Sequence, residues 1–287
     1  MHGIETVGII SKPNVEQAHA VVPGLIAWLK NRKIAVRYDH QTAVYARANN
    51  GISREQVPQG AQLVIVLGGD GTLLSAARAV GGSGIPLFPI NLGGLGFLTA
   101  ITIDEIYPEL ERALRGEHRI GRRRMLACQI LRDEEIVGRY EALNDAVITK
   151  GGPARIIDLD TYVDSHFVCA YKSDGLIVST PTGSTAYSLS AGGPIIFPSV
   201  GALCITPICP HMLTNRPVIV SDTSVIRVVC LAKDGDAFLT IDGQVGETLK
   251  QNDAIVCRQS PHTISLIRPP KMLFFDVLRE KLKWGTR

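Results

Sequence analysis

A glycine-rich turn with one carboxylate is the stretch of this sequence whose residue types best suit chemistry. A continuous apolar run ends in Gly68-Gly69-Asp70-Gly71-Thr72, and good helix formers follow at once. Glycines let the backbone adopt conformations closed to other residues and let a ligand approach closely. A helix that begins near Thr72 would aim free N–H groups and its positive dipole end at the same place. The stretch therefore predicts a phosphate site that contains the carboxylate of Asp70.

A tight turn between a strand and a helix is the alternative explanation of the same residues. The stretch lacks the Lys-Ser or Lys-Thr pair of a P-loop, and it does not fit the pattern G-x-G-x-x-G. On these residues alone, both explanations stay open.

The elements around this turn alternate between strands and helices. Strands are predicted at 6–10, 34–38, 63–67 and 85–91. Helices are predicted from 15 to about 33, with a break or kink at Pro23-Gly24, and from 72 to 80. This alternation indicates an α/β unit with a parallel sheet, whose ligands bind at the carboxyl ends of the strands. A second glycine loop, 91–98, follows the last strand, so both loops face one crevice if the two strands are parallel neighbours.

The character of the chain changes after about residue 100. An amphipathic helix is predicted at 104–115, with Asp104 as its N-cap and Gly116 at its end, and it is interpreted as a linker or hinge. Short alternating stretches then predict a β-rich domain, with strands at 157–163, 167–171, 226–231 and 237–241. Turns are predicted at Asp164-Ser165, at 233–236 and, as a hairpin, at Ser173-Asp174-Gly175. The predicted domains are 1–100 and 101–270.

Composition limits the classes of function. The chain has 287 residues, is 45% hydrophobic and 20% charged, and carries a net charge of +3, which is too small for general nucleic-acid binding. No secretory signal and no apolar segment long enough to cross a bilayer are expected. Six cysteines without a C-x-x-C pair indicate reduced thiols in the cytoplasm, and seven dispersed histidines disfavour a metal site.

Polar clusters in the second half suggest a binding surface. The stretch 180–194 combines hydroxyl side chains with small residues, which suits phosphate or ribose, and no G-x-S-x-G elbow supports a serine nucleophile. Asn144-Asp145 is either a turn cap or a pair of acceptors for sugar hydroxyls. The basic cluster 122–124 is interpreted as a solvated surface turn.

Taken together, these motifs resemble those of bacterial NAD kinases in order and spacing. The motifs are GGDGT at 68–72, the loop 91–98, LND at 143–145, KSDG at 172–175 and TPTGSTAYSLSAGGP at 180–194. GGDG alone is shared with diacylglycerol and sphingosine kinases and more distantly with phosphofructokinases, whereas the long last motif is specific to NAD kinases. The resemblance covers the chain from Thr6 to about Trp284.

The resemblance implies a Rossmann-like α/β domain, a β-rich NAD-binding domain, and an active site in the cleft between them. The segment 271–287 is expected to return to the first domain. The implied activity is ATP-dependent phosphorylation of the 2′-hydroxyl of the adenosine ribose of NAD, which gives NADP. Mg²⁺ or another divalent cation would accompany ATP without a dedicated protein cage. The expected partners are NAD and ATP and further copies of the chain in a homodimer or homotetramer, with neither nucleic acid nor membrane.

Site residues follow from the resemblance position by position. Asp70 is expected to be the general base. Contacts with NAD are expected from Asp70, Gly71, Phe97, Leu98, Asn144, Asp145, Arg155, Lys172, Asp174, Thr185, Ala186, Tyr187, Ser188, Ser190 and Gln244. Contacts with the phosphates of ATP are expected from Gly68, Gly69, Gly71, Thr72 and Arg78.

Three positions depart from the family pattern, or vary within it. Asp145 stands where many members have glutamate, so its carboxylate reaches one methylene less far. Lys172 and Arg155 occupy variable positions. A lipid kinase with the same GGDG core and a non-catalytic dinucleotide sensor are the alternative functions.

Overall fold

Two compact units make up the chain, and each is described by itself. The structure is a computed structural model that describes residues 4–94, 96–151, 156–233, 237–269 and 273–285. Unit 1 comprises Met1–Arg122 and Thr263–Arg287, and unit 2 comprises Arg123–His262.

A parallel sheet forms the centre of unit 1, as the sequence predicts. Its strands are β1 (Thr6–Ser11), β2 (Ala35–Tyr38), β3 (Leu63–Leu67) and β4 (Leu87–Ile90). Their order is β2-β1-β3-β4, and the end of the long strand Ala254–Arg268 adds to β4 in parallel through Leu266. Every residue of β3 is buried, which explains its unbroken apolar sequence.

Helices of unit 1 bury their apolar faces. They are α1 (Glu16–Asn31), α2 (His40–Tyr45), α3 (Asp70–Val80), α4 (Ile106–Leu114) and α6 (Phe274–Leu282), while α5 (Tyr187–Ser190) lies in unit 2. Residues Val22, Leu25 and Leu29 of α1 enter one core with Ile9 and Ile65 of the sheet. Burial of this apolar face stabilises the helix more than its intrinsic propensity does.

Three boundaries differ from the sequence-based prediction. Helix α1 runs through Pro23 as one element instead of breaking there. Helix α3 begins at Asp70, two residues before the expected start, because Gly69 already serves as its N-cap. The helix expected from Asp104 is a 3₁₀ turn capped by Thr102 and then α4, whose buried Ile106 and Leu110 belong to the core of unit 1, so it is not a free linker.

Unit 2 is built from strands in two groups that share one core. The first group is β5 (Arg119–Arg132), β6 (Glu135–Ala142), β8 (Ile157–Val163), β9 (His166–Ser173), β13 (Ile226–Cys230) and β16 (Ala254–Arg268). The second is β7 (Asp145–Lys150), β10 (Gly175–Ser179), β11 (Ala202–Ile208), β12 (Val218–Ser221), β14 (Ala237–Ile241) and β15 (Val245–Leu249). Leu159 and Val228 of the first group pack with Ile148 and Leu239 of the second.

The second group has the order β12-β11-β10-β7-β14-β15, entirely antiparallel. The expected strands and the Asp164-Ser165 turn are present, and both turn residues have positive φ. However, Ser173-Asp174-Gly175 does not close a hairpin, because β9 and β10 belong to different sheets. Strands β13 and β14 are likewise in different sheets, and residues 234–236 of the turn expected between them lie outside the described part of the chain.

Candidate active site

The glycine turn lies at the first turn of α3 and is attached to the neighbouring strand. The N–H of Gly68 donates to the carbonyl of Ile90 at 2.9 Å, which joins the turn to the end of β4. A Cβ on Gly68 would lie 2.4 Å from Oγ1 of Thr72, so no larger residue fits without movement. Gly69, by contrast, faces open space. Glycine at 68 therefore serves close packing, and glycine at 69 leaves room for a ligand.

The second glycine loop is held in shape by Asn91. Its Nδ2 donates to the carbonyl of Gly94 at 2.7 Å and to Oγ1 of Thr99 at 3.0 Å. Its Oδ1 accepts the N–H of Gly93 at 2.7 Å. Nδ2 also donates to the carbonyl of Thr99 at 3.3 Å, so one buried amide contacts four polar groups of the loop and of Thr99.

Asp70 joins the two loops directly. Its Oδ1 accepts the N–H of Leu98 at 3.1 Å and both the N–H and the hydroxyl of Thr99, at 3.1 and 3.0 Å. Its Oδ2 accepts a single bond, from the N–H of Phe97 at 2.9 Å. Gly96 permits this approach, since a Cβ there would lie 2.2 Å from Oδ1 of Asp70. The carboxylate that sequence reasoning assigned to catalysis also fixes the loop.

A pocket of about 380 Å³ opens where these loops meet. Its lining includes Lys12, Gly68, Gly69, Asn91, Gly93 and Gly94. The predicted shared crevice is confirmed, because β3 and β4 are parallel neighbours and both of their loops line the pocket. Backbone N–H groups of glycine loops beside an ammonium group suit a polyphosphate.

Lys12 is a functional candidate that sequence reasoning missed. It follows β1, and its N–H donates to the carbonyl of Leu67 at 2.7 Å, at the end of β3. Its carbonyl accepts the hydroxyl of Tyr45 at 2.7 Å, so the backbone of Lys12 is fixed while the side chain stays exposed. Its position directly after a predicted parallel strand is the feature of the sequence that could have identified Lys12 as a site residue.

In unit 2, the Asn144-Asp145 pair begins β7 and is almost completely buried. Asp242, which the sequence analysis did not single out, accepts the N–H groups of Leu143, Asn144 and Asp145 at 3.1, 2.8 and 3.3 Å. The pair is the capped group and not the cap, and its role as acceptors for sugar hydroxyls stays a prediction. Its backbone is capped from Asp242, whereas Oδ1 of Asn144 is buried without a partner in the described chain.

Burial raises the pKa of Asp145 to about 7, and the negative charge of Asp242 adds to this rise. Asp145 is only 4% exposed, and Asp242 7%. A carboxyl group with such a pKa exchanges its proton near neutral pH, which is common at functional sites.

The hydroxyl-rich loop 180–190 uses most of its hydroxyls within unit 2. Thr180 donates to the carbonyl of Leu143 at 2.6 Å, and Ser184 donates to that of Pro181 at 2.7 Å. Ser188 is buried and shares a 2.9 Å hydrogen bond with Thr206. Thr180 thus holds the loop against Leu143, while Ser184 and Ser188 fix its shape and attach it to β11, so the first role of these hydroxyls is structural.

Other predicted NAD contacts stand at the surface of the same loop. Thr185 and Ala186 are half-buried, and Tyr187 and Ser190 are exposed. Gln244 is exposed two residues after Asp242. Hydrogen bonds therefore bring the loop, Asn144 and Asp145 together. Gln244 lies near them in the chain, because Asp242, which caps this pair, precedes it by two residues.

Lys172 and Asp174 lie elsewhere in unit 2. Asp174 accepts a 2.6 Å hydrogen bond from Nζ of Lys150, at the end of β7 opposite to Asp145. Strand geometry puts these two ends about 17 Å apart. Lys172 is exposed and lies 3.7 Å from Asp158. Unit 2 therefore carries two separate groups of predicted contacts.

The remaining basic positions of the sequence analysis are Arg78, Arg155 and the cluster 122–124. Arg78 lies in the last turn of α3, about 12 Å along the axis from Asp70. Arg155 lies outside the described residues. The basic cluster 122–124 is not a solvated surface turn, because it lies within strand β5, where Arg123 is buried and Arg124 pairs with Asp222 at 3.2 Å. Within the described ranges, no group of three or more histidine, cysteine, aspartate or glutamate residues could hold a metal ion.

The parallel sheet, the loop pocket and the β-rich unit define a nucleotide-binding protein of the kinase class with a GGDG turn. Comparison with known families supports this. The ATP-NAD kinase N-terminal domain matches residues 7–118, and the ATP-NAD kinase C-terminal domain matches residues 143–269. The chain belongs to the ATP-NAD kinase family.

Individual relatives agree over the full length. The chain is 65% identical to the NAD kinase of Solibacter usitatus over 284 residues, which is 99% of each chain. It is 48% identical to the NAD kinase of Koribacter versatilis over 99% of this chain and 100% of that one.

Solved structures show the same fold. A yeast NADH kinase complexed with NADH matches with a TM-score of 0.93 and 24% identity, over 100% of this chain and 89% of that chain. An NAD kinase from Archaeoglobus fulgidus in complex with ATP matches with a TM-score of 0.78 and 25% identity, over 97% and 98%. In the described residues, no helix is long and apolar enough to cross a membrane.

Proposed function

We propose that this chain transfers the γ-phosphoryl group of ATP to the 2′-hydroxyl of the adenosine ribose of NAD, giving NADP. The observation that carries the ATP half is the pocket where the two glycine loops meet beside Lys12. Family membership identifies the acceptor as NAD.

Phosphoryl transfer depends mainly on positioning and on neutralising charge. Backbone N–H groups at the start of α3 and the ammonium of Lys12 would hold the triphosphate, whereas the N–H groups of Gly68 and Thr72 already donate to the carbonyls of Ile90 and Gly69. Mg²⁺, or another divalent cation, would neutralise further charge while bound to the phosphates and water.

Asp70 is proposed as the catalytic carboxylate. Since Oδ1 already accepts three hydrogen bonds and Oδ2 only one, Oδ2 is the oxygen that would accept the ribose hydroxyl. The other bonds would keep its orientation fixed before the substrate arrives.

The remaining site residues divide by chemistry. Asn144 and Asp145 would accept ribose hydroxyls, and Gly71, Phe97 and Leu98 would line the adenine. Predicted contacts with the dinucleotide from the other positions are retained as proposals, namely those of Arg155, Lys172, Asp174, Thr185, Ala186, Tyr187, Ser188, Ser190 and Gln244. The hydroxyl of Ser188 is hydrogen-bonded to Thr206, so we propose that Ser188 contacts the dinucleotide through its backbone. Contacts of Thr72 and Arg78 with ATP are also proposals.

Incubation of the full chain with ATP, Mg²⁺ and NAD, followed by an NADP-specific dehydrogenase assay, tests the proposed function. NADP should accumulate with stoichiometric ADP, and omission of the divalent cation should abolish it. Tight NAD binding without NADP formation would favour a dinucleotide sensor. Phosphorylation of diacylglycerol instead of NAD would favour a lipid kinase.

Replacing Lys12 by methionine tests the ATP pocket. The KM for ATP is expected to rise about ten-fold, since one charge-assisted hydrogen bond contributes roughly 1.5–3 kcal/mol, while the KM for NAD stays constant. Steady-state kinetics with each substrate varied in turn separate the two constants. Lys30→Met, an exposed lysine of α1, is the matched control and should change neither. An unchanged KM for ATP in Lys12→Met would contradict the assignment.

Assembly and location are further proposals. We propose a homodimer or homotetramer, which light scattering of the purified chain would measure. Six cysteines that form no disulfide support a reducing compartment, the cytoplasm.

A further inference from the structure

Two carboxyl groups meet at the corner of unit 2 where β7 begins. Asp145 is the first residue of β7, and Asp242 follows the last residue of β14, its neighbouring strand. The N–H of Asp242 donates to the carbonyl of Asp145 at 3.0 Å. On the other side, β10 opposes Asp145 with Ser179, a buried hydroxyl. Asp242 is the charged group that acts on Asp145 in the described chain.

Asp242 is the member of this pair whose carboxyl group is held by backbone donors. Both of its oxygens accept backbone N–H groups, from Leu143, Asn144 and Asp145. Hydrogen bonds of this kind are stronger when the acceptor is ionised. Asp242 lies in the turn that follows β14, where its backbone has a positive φ of 51°.

Asp145 is the member that changes protonation. It is buried at 4% exposure, and no described side chain neutralises it. Burial and then the charge of Asp242 raise its pKa to about 7. In the free protein at neutral pH, roughly half of the molecules therefore carry a proton on Asp145.

The neighbouring polar atoms indicate what a ligand must supply. Oδ1 of Asn144 is a buried acceptor without a partner in the described chain. It requires a hydrogen-bond donor, and the hydroxyls of a ribose are donors. An ionised carboxyl group accepts hydroxyl donors at both oxygens, whereas a protonated one carries a donor of its own at one of them.

We propose that NAD binding expels a proton from Asp145, and that Asp242 is the positioning residue that sets this linkage. Asp242 acts in two ways, by fixing the 143–145 backbone and by placing a second carboxylate beside Asp145. The O–H bond of Asp145 breaks, the proton passes to water, and both carboxylate oxygens accept ribose hydroxyls. The inference rests on the proposed function, because it takes NAD as the ligand.

Calorimetric titration of the full chain with NAD, without ATP, measures the linkage. Titrations in two buffers with different ionisation enthalpies give the number of protons released. We expect close to one proton per NAD at pH 6, about half at pH 7 and almost none at pH 8.5. The Kd should be about ten-fold weaker at pH 6 than at pH 8, because only the ionised fraction binds. Zero proton release with a pH-independent Kd would overturn the proposal.

Two conservative variants separate the roles of the pair. Asp145→Asn should bind NAD without proton release and with the same Kd at every pH. Asp242→Asn keeps an acceptor for two of the three N–H groups and suits the positive φ, but removes the charge. It should move the midpoint of the pH dependence to lower pH. If Asp242→Asn only weakened NAD binding equally at all pH values, Asp242 would be merely structural and the proposal would fail.

Titration of the free protein tests the pair independently of NAD. Carbon-13 NMR of carboxyl groups, with Asp145 assigned by the loss of its signal in Asp145→Asn, should give a midpoint near 7. A midpoint below 5 would overturn the proposal. If this midpoint were found but NAD did not bind at any pH, the proposed function would fail and not the description of the pair.

Thermal unfolding supplies a second readout without ligand. The pKa of Asp145 is raised above its unfolded value of about 4, so the folded state binds more protons and loses stability as pH rises from 4 through 7. Asparagine does not titrate. Asp145→Asn should therefore gain Tm relative to the parent between pH 5 and pH 8, and a constant difference would contradict the raised pKa.

Discussion

Replacing Asp70 by asparagine is expected to lower kcat by about 10²–10⁴-fold, the usual contribution of a positioned general base. The variant retains the size of the side chain but loses the negative charge and one acceptor. Its amide nitrogen must face either the N–H of Phe97 or the N–H groups of Leu98 and Thr99. The free energy of unfolding should therefore also fall, by roughly 1–3 kcal/mol. Steady-state kinetics and urea unfolding of the same preparation measure both effects.

Thr99→Val is the control that separates chemistry from loop structure. It removes one of the three bonds to Oδ1 of Asp70, together with the acceptor of one Asn91 bond, and leaves the carboxylate in place. We expect a loss of about 1 kcal/mol in stability and a kcat within a few-fold of the parent. A kcat of Asp70→Asn close to that of the parent would contradict the role of Asp70 as general base. Equal losses of kcat in both variants would assign the effect to the loop.

Replacing Gly183 by alanine is expected to disturb unit 2 most strongly among single-methyl additions. A Cβ there would lie 2.1 Å from the carbonyl oxygen and 2.7 Å from the Cα of Asn144. These are backbone atoms, so relief requires the loop and the start of β7 to separate. The cost of such overpacking is roughly 1–3 kcal/mol or more, and the KM for NAD should rise at the same time.

Gly246→Ala is the matched control for this variant. It lies in β15, and its added methyl group would find its nearest neighbour at 3.7 Å, an ordinary contact. Thermal unfolding should show a lower Tm for Gly183→Ala than for Gly246→Ala. Equal Tm values would mean that the loop has room that the structure does not show.

The sequence predicted the part of the fold that depends on local pattern. Fully buried strands produce unbroken apolar runs, and half-buried ones alternate, so the α/β and β-rich halves could be recognised. The predicted start of α3 lies two residues after the observed one. Gly69 serves as the N-cap, but it has no side chain that would identify it as a cap in the sequence.

Residues that act across long sequence distances could not be found in this way. Lys12 reaches the pocket because β1 pairs with β3, and Asp242 caps 143–145 because β14 pairs with β7. No local pattern encodes these pairings. The composition of Ser173-Asp174-Gly175 predicts a hairpin, but a turn that carries the chain from one sheet to another has the same composition as one that reverses it.

The pairing of strand β7 on both sides fixes the distance between its two ends. It is hydrogen-bonded on both sides, to β10 and to β14, so its length cannot change without breaking two ladders. Asp145 at one end and Lys150, which pairs with Asp174, at the other are thus held about 17 Å apart. A ligand that contacted both ends would have to span this fixed distance, so any adjustment to ligands of different length would have to come from the loops that flank β7.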